Sequence, residues 1–132
     1  MKMTCIVQLV CAAVFSISFC VVHAQETKCS VKREPFVNGG VSTGTMILEQ
    51  GNVCQFSFKF GQMNPPDSWE LVEPPKSGKV VFKEDIAEYQ PNAGFAGDDK
   101  FVVAVFGKAP NCGTRCTRNG RFEFAVTVRP KS

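Results

Sequence analysis

The chain has 132 residues and a formal net charge of +3, with seven cysteines but only one histidine. This length allows one domain, and so small a net charge does not indicate a nucleic-acid partner. The one histidine, His23, falls within a predicted signal peptide, so the mature chain lacks the usual general base and histidine metal ligand.

Residues 1–24 are predicted to be that signal peptide. Lys2 provides a charged start, Cys5–Val22 is mostly apolar, and Val22 and Ala24 place small residues where signal peptidase reads them. The mature domain is then residues 25–132, close to the roughly 100 residues of an immunoglobulin-like sandwich. We expect a periplasmic or secreted protein with no membrane span after cleavage.

The mature chain is predicted to be all β. Residues 54–60 and 122–128 alternate apolar and polar side chains, which is typical of half-buried strands. No helical periodicity is visible, and residues 107–120, rich in Gly, Pro and Asn, are predicted to be a long loop. We expect one immunoglobulin-like β-sandwich of about seven strands, drawn from these eight candidate segments: Cys29–Lys32, Thr45–Glu49, Cys54–Phe60, Trp69–Val72, Gly78–Phe82, Ile86–Gln90, Phe101–Phe106 and Arg121–Arg129.

Two features of these strands bear on the core. Ile86 and Tyr89 are the large side chains of their strand that could be buried, and Trp69, the only tryptophan, is expected in the core. Phe101–Phe106 is apolar at every position, so both of its faces should be covered or it should lie centrally.

Four cysteines remain in the mature chain, an even number that favours two disulfides in an exported protein. Cys112 and Cys116 lie close together in a predicted loop, so local closure favours pairing them. Cys54 points inward from its strand, and Cys29 on the first strand is its remaining candidate partner. The Cys112–Cys116 bridge would shape the loop that carries Arg115, and the Cys29–Cys54 bridge would stabilise the fold.

The corner before Phe101 carries a resemblance. Residues 75–80 read PKSGKV and residues 89–101 read YQPNAGFAGDDKF. This resembles the cadherin-like, immunoglobulin-like modules of bacterial surface and secreted proteins, whose pattern is Pro-x-x-Gly-x-Val followed by Tyr-x-Pro-x-x-Gly-Phe-x-Gly-x-Asp-x-Phe. The resemblance aligns Asp99 with the aspartate of that pattern, and it implies a structural or interaction unit of the cell envelope.

The residue types agree with that resemblance. Tyr89 can bury its ring and tie its hydroxyl to the backbone, as in a tyrosine corner. Gly94 and Gly97 suit positive φ angles, and Asp98 or Asp99 can accept hydrogen bonds from the amides of the turn. The predicted structural corner comprises Tyr89, Pro91, Gly94, Gly97, Asp99 and Phe101.

No catalytic site and no cofactor are predicted. The acidic residues lie in turns, where solvation or capping is their ordinary role. A calcium site formed by Asp98 and Asp99 with Glu84 or Asp85 is an open alternative, although no EF-hand spacing exists.

We therefore expect a non-enzymatic module that binds a protein or a glycan at the envelope, without nucleic acid. The partner would contact a sheet face or the predicted loop, where Arg115 and Arg118 are the candidate binding residues. The alternative is a small secreted inhibitor of a hydrolase, acting through the Cys112–Cys116 loop.

Overall fold

A computed structural model describes residues 29–61, 64–108 and 116–132. These residues form eight strands: β1 (Cys29–Arg33), β2 (Val41–Glu49), β3 (Cys54–Ser57), β4 (Ser68–Glu73), β5 (Gly78–Lys83), β6 (Ile86–Pro91), β7 (Gly97–Lys108) and β8 (Thr117–Arg129). Within these ranges there is no helix, and hence none that could cross a membrane. The all-β prediction is confirmed, with eight strands close to the seven expected.

The strands form two sheets. One has five strands in the order β1-β2-β8-β7-β4, and the other has three in the order β3-β6-β5. The pairs are antiparallel except β2 with β8, which run parallel from Val41 opposite Arg121 to Glu49 opposite Arg129. Strands β3, β6 and β5 in one sheet and β8, β7 and β4 in the other give the two-sheet arrangement of an immunoglobulin-like sandwich.

The core lies between the sheets, where the alternation of each strand places its apolar side chains. Strand β8 contributes the four residues predicted from its alternation, and Phe56, Phe58 and Phe60 contribute from the chain around β3. Trp69 of β4 is half-buried and reaches across, with its ring stacked on Phe82 of β5 at a centroid distance of 5.3 Å. The core is therefore dominated by aromatic rings: Phe56, Phe58, Phe60, Tyr89, Phe101, Phe122 and Phe124.

One disulfide joins the two sheets. Cys29 at the start of β1 is bonded to Cys54 at the start of β3, the pairing that the sequence predicted. Cys54 is fully buried and Cys29 is half-buried. The bond connects an edge strand of the five-stranded sheet to an edge strand of the three-stranded sheet, and so ties the sandwich together on one side.

The prediction of a long loop over residues 107–120 was wrong at both ends, and residues 109–115 lie outside the described residues. Strands β7 and β8 stay paired out to Lys108 opposite Thr117. The glycines that suggested a loop have a packing role: a Cβ at Gly107 would meet the ring of Phe60, and one at Gly120 would meet the ring of Phe36. Glycine is thus needed in these strands because aromatic rings cover them.

The prediction for β6 was half wrong. Ala87 and Tyr89 are buried, whereas Ile86 is only half-buried. Residues three apart in a strand point to opposite faces, so Ile86 and Tyr89 cannot both face the core.

Candidate functional site

The predicted corner is a hydrogen-bonded junction centred on Asp99. Its Oδ2 accepts from the Tyr89 hydroxyl at 2.9 Å and from the Ser77 amide at 3.0 Å. Its Oδ1 accepts from the Lys76 amide at 3.0 Å and from the Lys100 amide at 2.9 Å. One carboxylate therefore links the β4–β5 loop to β6 and β7, which gives Asp99 a structural role.

Two details of the corner differ from the prediction. The Tyr89 hydroxyl donates to a side-chain carboxylate and not to the backbone. Two of the amides that reach Asp99 come from the β4–β5 loop, while Asp98 accepts from the Thr127 hydroxyl at 3.2 Å. The expected glycine angles are present, with φ of 78° at Gly94 and 142° at Gly97.

The corner changes the chemistry of Tyr89. The side chain is fully buried, with its ring parallel to Phe101 at a centroid distance of 5.8 Å. Burial, and then the hydrogen bond and negative charge of Asp99, raise the pKa of Tyr89 far above its ordinary value, because both disfavour the phenolate. The hydroxyl therefore stays protonated as a structural donor.

The acidic residues proposed for calcium are not brought together. Glu84 and Asp85 form the β5–β6 turn, whereas Asp98 and Asp99 lie near the other end of that hairpin, where Gly78 pairs with Pro91. Asp85 accepts from the Ser57 hydroxyl at 2.8 Å, and this bond, with the nearby Lys59, lowers the pKa of Asp85. No group of three potential metal ligands occurs within the described ranges.

The predicted binding loop is described only at its C-terminal side. Cys112 and Arg115 lie outside the described residues, and Cys116 is a disulfide-bonded cysteine. The Cys112–Cys116 pairing and the role of Arg115 therefore stay predictions. Arg118 is exposed on β8, opposite Gly107 of β7, so it belongs to a paired strand and not to a loop.

A surface that the sequence did not single out lies on the outer face of the five-stranded sheet. We call its apolar side chains the outer patch: Val41, Val72 and Phe106, which are exposed, and Val102 and Ala104, which are only 9% and 5% exposed. Val41, Val72 and Phe106 are 48%, 39% and 38% exposed, although all three are large and hydrophobic. They border an open groove of about 440 Å³ whose other lining residues include Ala104, Glu70 and Arg121.

The strand register fixes the charges around the outer patch. Arg121 of β8, Ala104 of β7 and Glu70 of β4 are direct neighbours in one row across the sheet. Arg121 and Glu70 are exposed, and neither has an ion-pair partner within the described part of the chain. An apolar centre is thus flanked by a cation on one side and an anion on the other.

A second groove, of about 560 Å³, lies on the same sheet nearer β1. It carries both signs of charge, with Lys32, Arg33 and Lys100 opposed by Glu34 and Glu123. Two of these cations are already engaged: Lys100 pairs with Glu73 at 3.0 Å, and the Arg33 guanidinium lies 5.6 Å from the centroid of the Phe56 ring. This groove therefore does not select a ligand of one charge.

One sequence signal did point to the outer patch. The run Phe101–Phe106 has apolar residues on both faces, and half of them (Val102, Ala104 and Phe106) point outward. Neither a protein-family profile nor a curated protein matches this chain. The fold and the outer patch are therefore the basis for assigning a function.

Proposed function

We propose that the chain is a non-enzymatic, immunoglobulin-like interaction module, exported by the signal peptide at residues 1–24 and acting in the periplasm or outside the cell. It binds a protein or a glycan of the envelope through the outer patch. The observation that carries the proposal is the exposure of three large apolar side chains, Val41, Val72 and Phe106, on one sheet face.

Exposed apolar residues that are grouped and rimmed by polar residues are typical of interaction sites, because burying them against a partner removes apolar surface from water. Here the rim consists of Glu70, Arg121 and Asn119. The patch lies on paired strands, so little conformational entropy is lost when it is covered.

The corner supports a cadherin-like character for the module. Tyr89 and Asp99 are the tyrosine and aspartate of the pattern that the chain resembles, and the two side chains are hydrogen-bonded to each other. A junction of this kind holds the two sheets at the end where β6 leads into β7. It is consistent with a scaffold that presents a sheet face.

The exported protein can be used to capture partners from envelope fractions, comparing wild type with Val72→Asp. The matched control is Val81→Asp, because Val81 is 43% exposed but lies on the outer face of the other sheet. Loss of capture with Val72→Asp alone is expected. Equal capture by both variants would contradict the proposal, and loss of capture in Arg115→Ala alone would favour the hydrolase-inhibitor alternative.

A further inference from the structure

The two charged residues that flank the outer patch, Arg121 and Glu70, are arranged so that they complement the same two residues of a second copy. The row Arg121–Ala104–Glu70 places opposite charges one strand to either side of β7. Neighbouring strands are about 4.8 Å apart, so the two charged positions are separated by roughly 10 Å with an alanine between them.

We propose that the outer patch is the interface of a two-fold symmetric homodimer whose axis runs along β7. This rests on the proposed function, and names the partner of that same face as a second copy of the chain. A two-fold axis along β7 carries β8 of one copy over β4 of the other. Arg121 of each copy then lies over Glu70 of the other, so the interface contains two identical ion pairs.

The residues on the axis fit this arrangement. Phe106 of β7 is 38% exposed and would meet Phe106 of the second copy, while Val102 and Ala104, only 9% and 5% exposed, lie along the axis without reaching far from the sheet. In the row of Phe106 the flanking residues are Asn119 and Ser68, which can hydrogen-bond across the interface.

The charges also disfavour the other two-fold orientation in which the same faces meet. A two-fold axis perpendicular to the strands through Ala104 would place Arg121 over Arg121 and Glu70 over Glu70. Like charges in direct opposition at an interface disfavour association. The axis along β7 is the orientation that pairs opposite charges.

The register also sets the limit of the contact. In the row of Val102 the flanking residues Glu123 and Glu73 are both acidic, but Lys100 pairs with Glu73 at 3.0 Å and neutralises it. Lys100 is the next outward residue of β7, and its ion pair with Glu73 places charged side chains where the apolar residues of the strand end. The contact is therefore centred on Phe106 and on the Arg121 and Glu70 side chains that flank Ala104, and it ends before Lys100.

Charge reversal tests the arrangement. Wild-type exported protein is expected to dimerise in sedimentation velocity and native mass spectrometry. Arg121→Glu and Glu70→Arg should each weaken self-association by at least about tenfold, because each places like charges in contact twice per dimer. Lys79→Glu reverses a charge on the outer face of the other sheet and should leave the dimer intact.

A mixture of the two weakened variants provides the decisive measurement. The Glu70→Arg copy carries a cation at both positions and the Arg121→Glu copy carries an anion at both, so every facing pair in a mixed dimer is opposite in charge. The two variants should therefore form a heterodimer although each alone is monomeric. Heterodimer formation also shows that both variants are folded. A dimer that survives either single reversal, or monomers that stay monomeric when mixed, would overturn the proposed axis.

The two proposals fail separately. A monomeric wild type whose envelope partner is lost with Val72→Asp overturns the homodimer and leaves the binding function standing. A wild-type dimer that obeys the charge reversals supports both the interaction function of the outer patch and its assignment to a second copy, whereas a monomeric wild type that captures nothing overturns both.

Discussion

The fold keeps the buried hydroxyl of Tyr89 protonated. Tyr89 is the only tyrosine of the chain, and its hydroxyl donates to Asp99 at 2.9 Å. Phenolate formation would place two negative charges in contact within the sandwich. Loss of this proton would therefore destabilise the corner.

This gives a prediction for alkaline pH. A tyrosine in the unfolded chain titrates near pH 10, and the pKa of Tyr89 in the folded chain is raised above that value. Its contribution to stability is fully present below about pH 10 and is lost as the pH rises further. The free energy of unfolding should fall more steeply there in wild type than in Tyr89→Phe, as measured by denaturant titration.

The ultraviolet absorbance of tyrosinate measures the ionisation of Tyr89 independently of the unfolding experiment. Tyrosinate absorption should appear only together with unfolding, since the chain has no other tyrosine. Tyrosinate that forms near pH 10 while the circular dichroism of the fold is unchanged would contradict the role assigned to Asp99.

A second prediction at this scale concerns Glu84 in the β5–β6 turn. Its φ of 51° is the one positive value among non-glycine residues in the described ranges. Residues with a Cβ are strained in this region, whereas glycine is not. Glu84→Gly should stabilise the protein by about 1 kcal/mol, measured from the denaturation midpoint.

The neighbouring residue supplies the control for Glu84. Lys83 ends β5 with ordinary strand geometry, so Lys83→Gly should destabilise by about 0.5–1 kcal/mol. If both glycine variants destabilise equally, the strain assigned to Glu84 is not present.

Among the elements, β7 carries large aromatic side chains that differ sharply in solvent exposure. Phe101 points inward and is 1% exposed, whereas Phe106 points outward and is 38% exposed. Truncating a buried aromatic side chain typically costs about 3–5 kcal/mol. Phe101→Ala should therefore lose much more stability than Phe106→Ala, measured at low protein concentration so that self-association does not contribute. Similar unfolding midpoints for the two would contradict the register of β7.

How far the sequence predicts these elements depends on the strand. Strand β8 could be read from Phe122 to Val128 because one of its faces is buried and the other is exposed. Its first residues could not, because Gly120 reads as a loop residue until one sees that the Phe36 ring occupies the space above it. A packing contact between distant segments leaves no local signal in the sequence.

The same limit applies to the candidate site. The run Phe101–Phe106 indicated that a second face of β7 should be covered, but not that Val41 and Val72 lie beside it. The row of Arg121, Ala104 and Glu70 depends on the register of three strands that are far apart in the chain. Charge complementarity of this kind can be seen only after the sheet is assembled.

At the scale of the whole molecule, the Cys29–Cys54 bond joins the sheets at their edges. A disulfide that closes a loop of this size typically stabilises by about 3 kcal/mol in the chain-entropy account. The double variant Cys29→Ser/Cys54→Ser should lose roughly this amount, measured by denaturant unfolding.

The other two cysteines supply the comparison. Cys112→Ser/Cys116→Ser should cost less, because the predicted bridge between them closes a much shorter loop. Equal losses in the two double variants would contradict this division of roles. A peptide joining Cys54 to Cys116 in non-reducing mapping would contradict the pairing itself.

The parallel pairing of β2 with β8 has a consequence for how the protein is made. Val41 pairs with Arg121, so a strand near the beginning of the described chain is completed only by the last strand. Contacts of such long sequence separation form slowly. In the export that we propose, the inner edge of β2 would have no partner until β8 had followed, so this pairing would be among the last of the sheet to form.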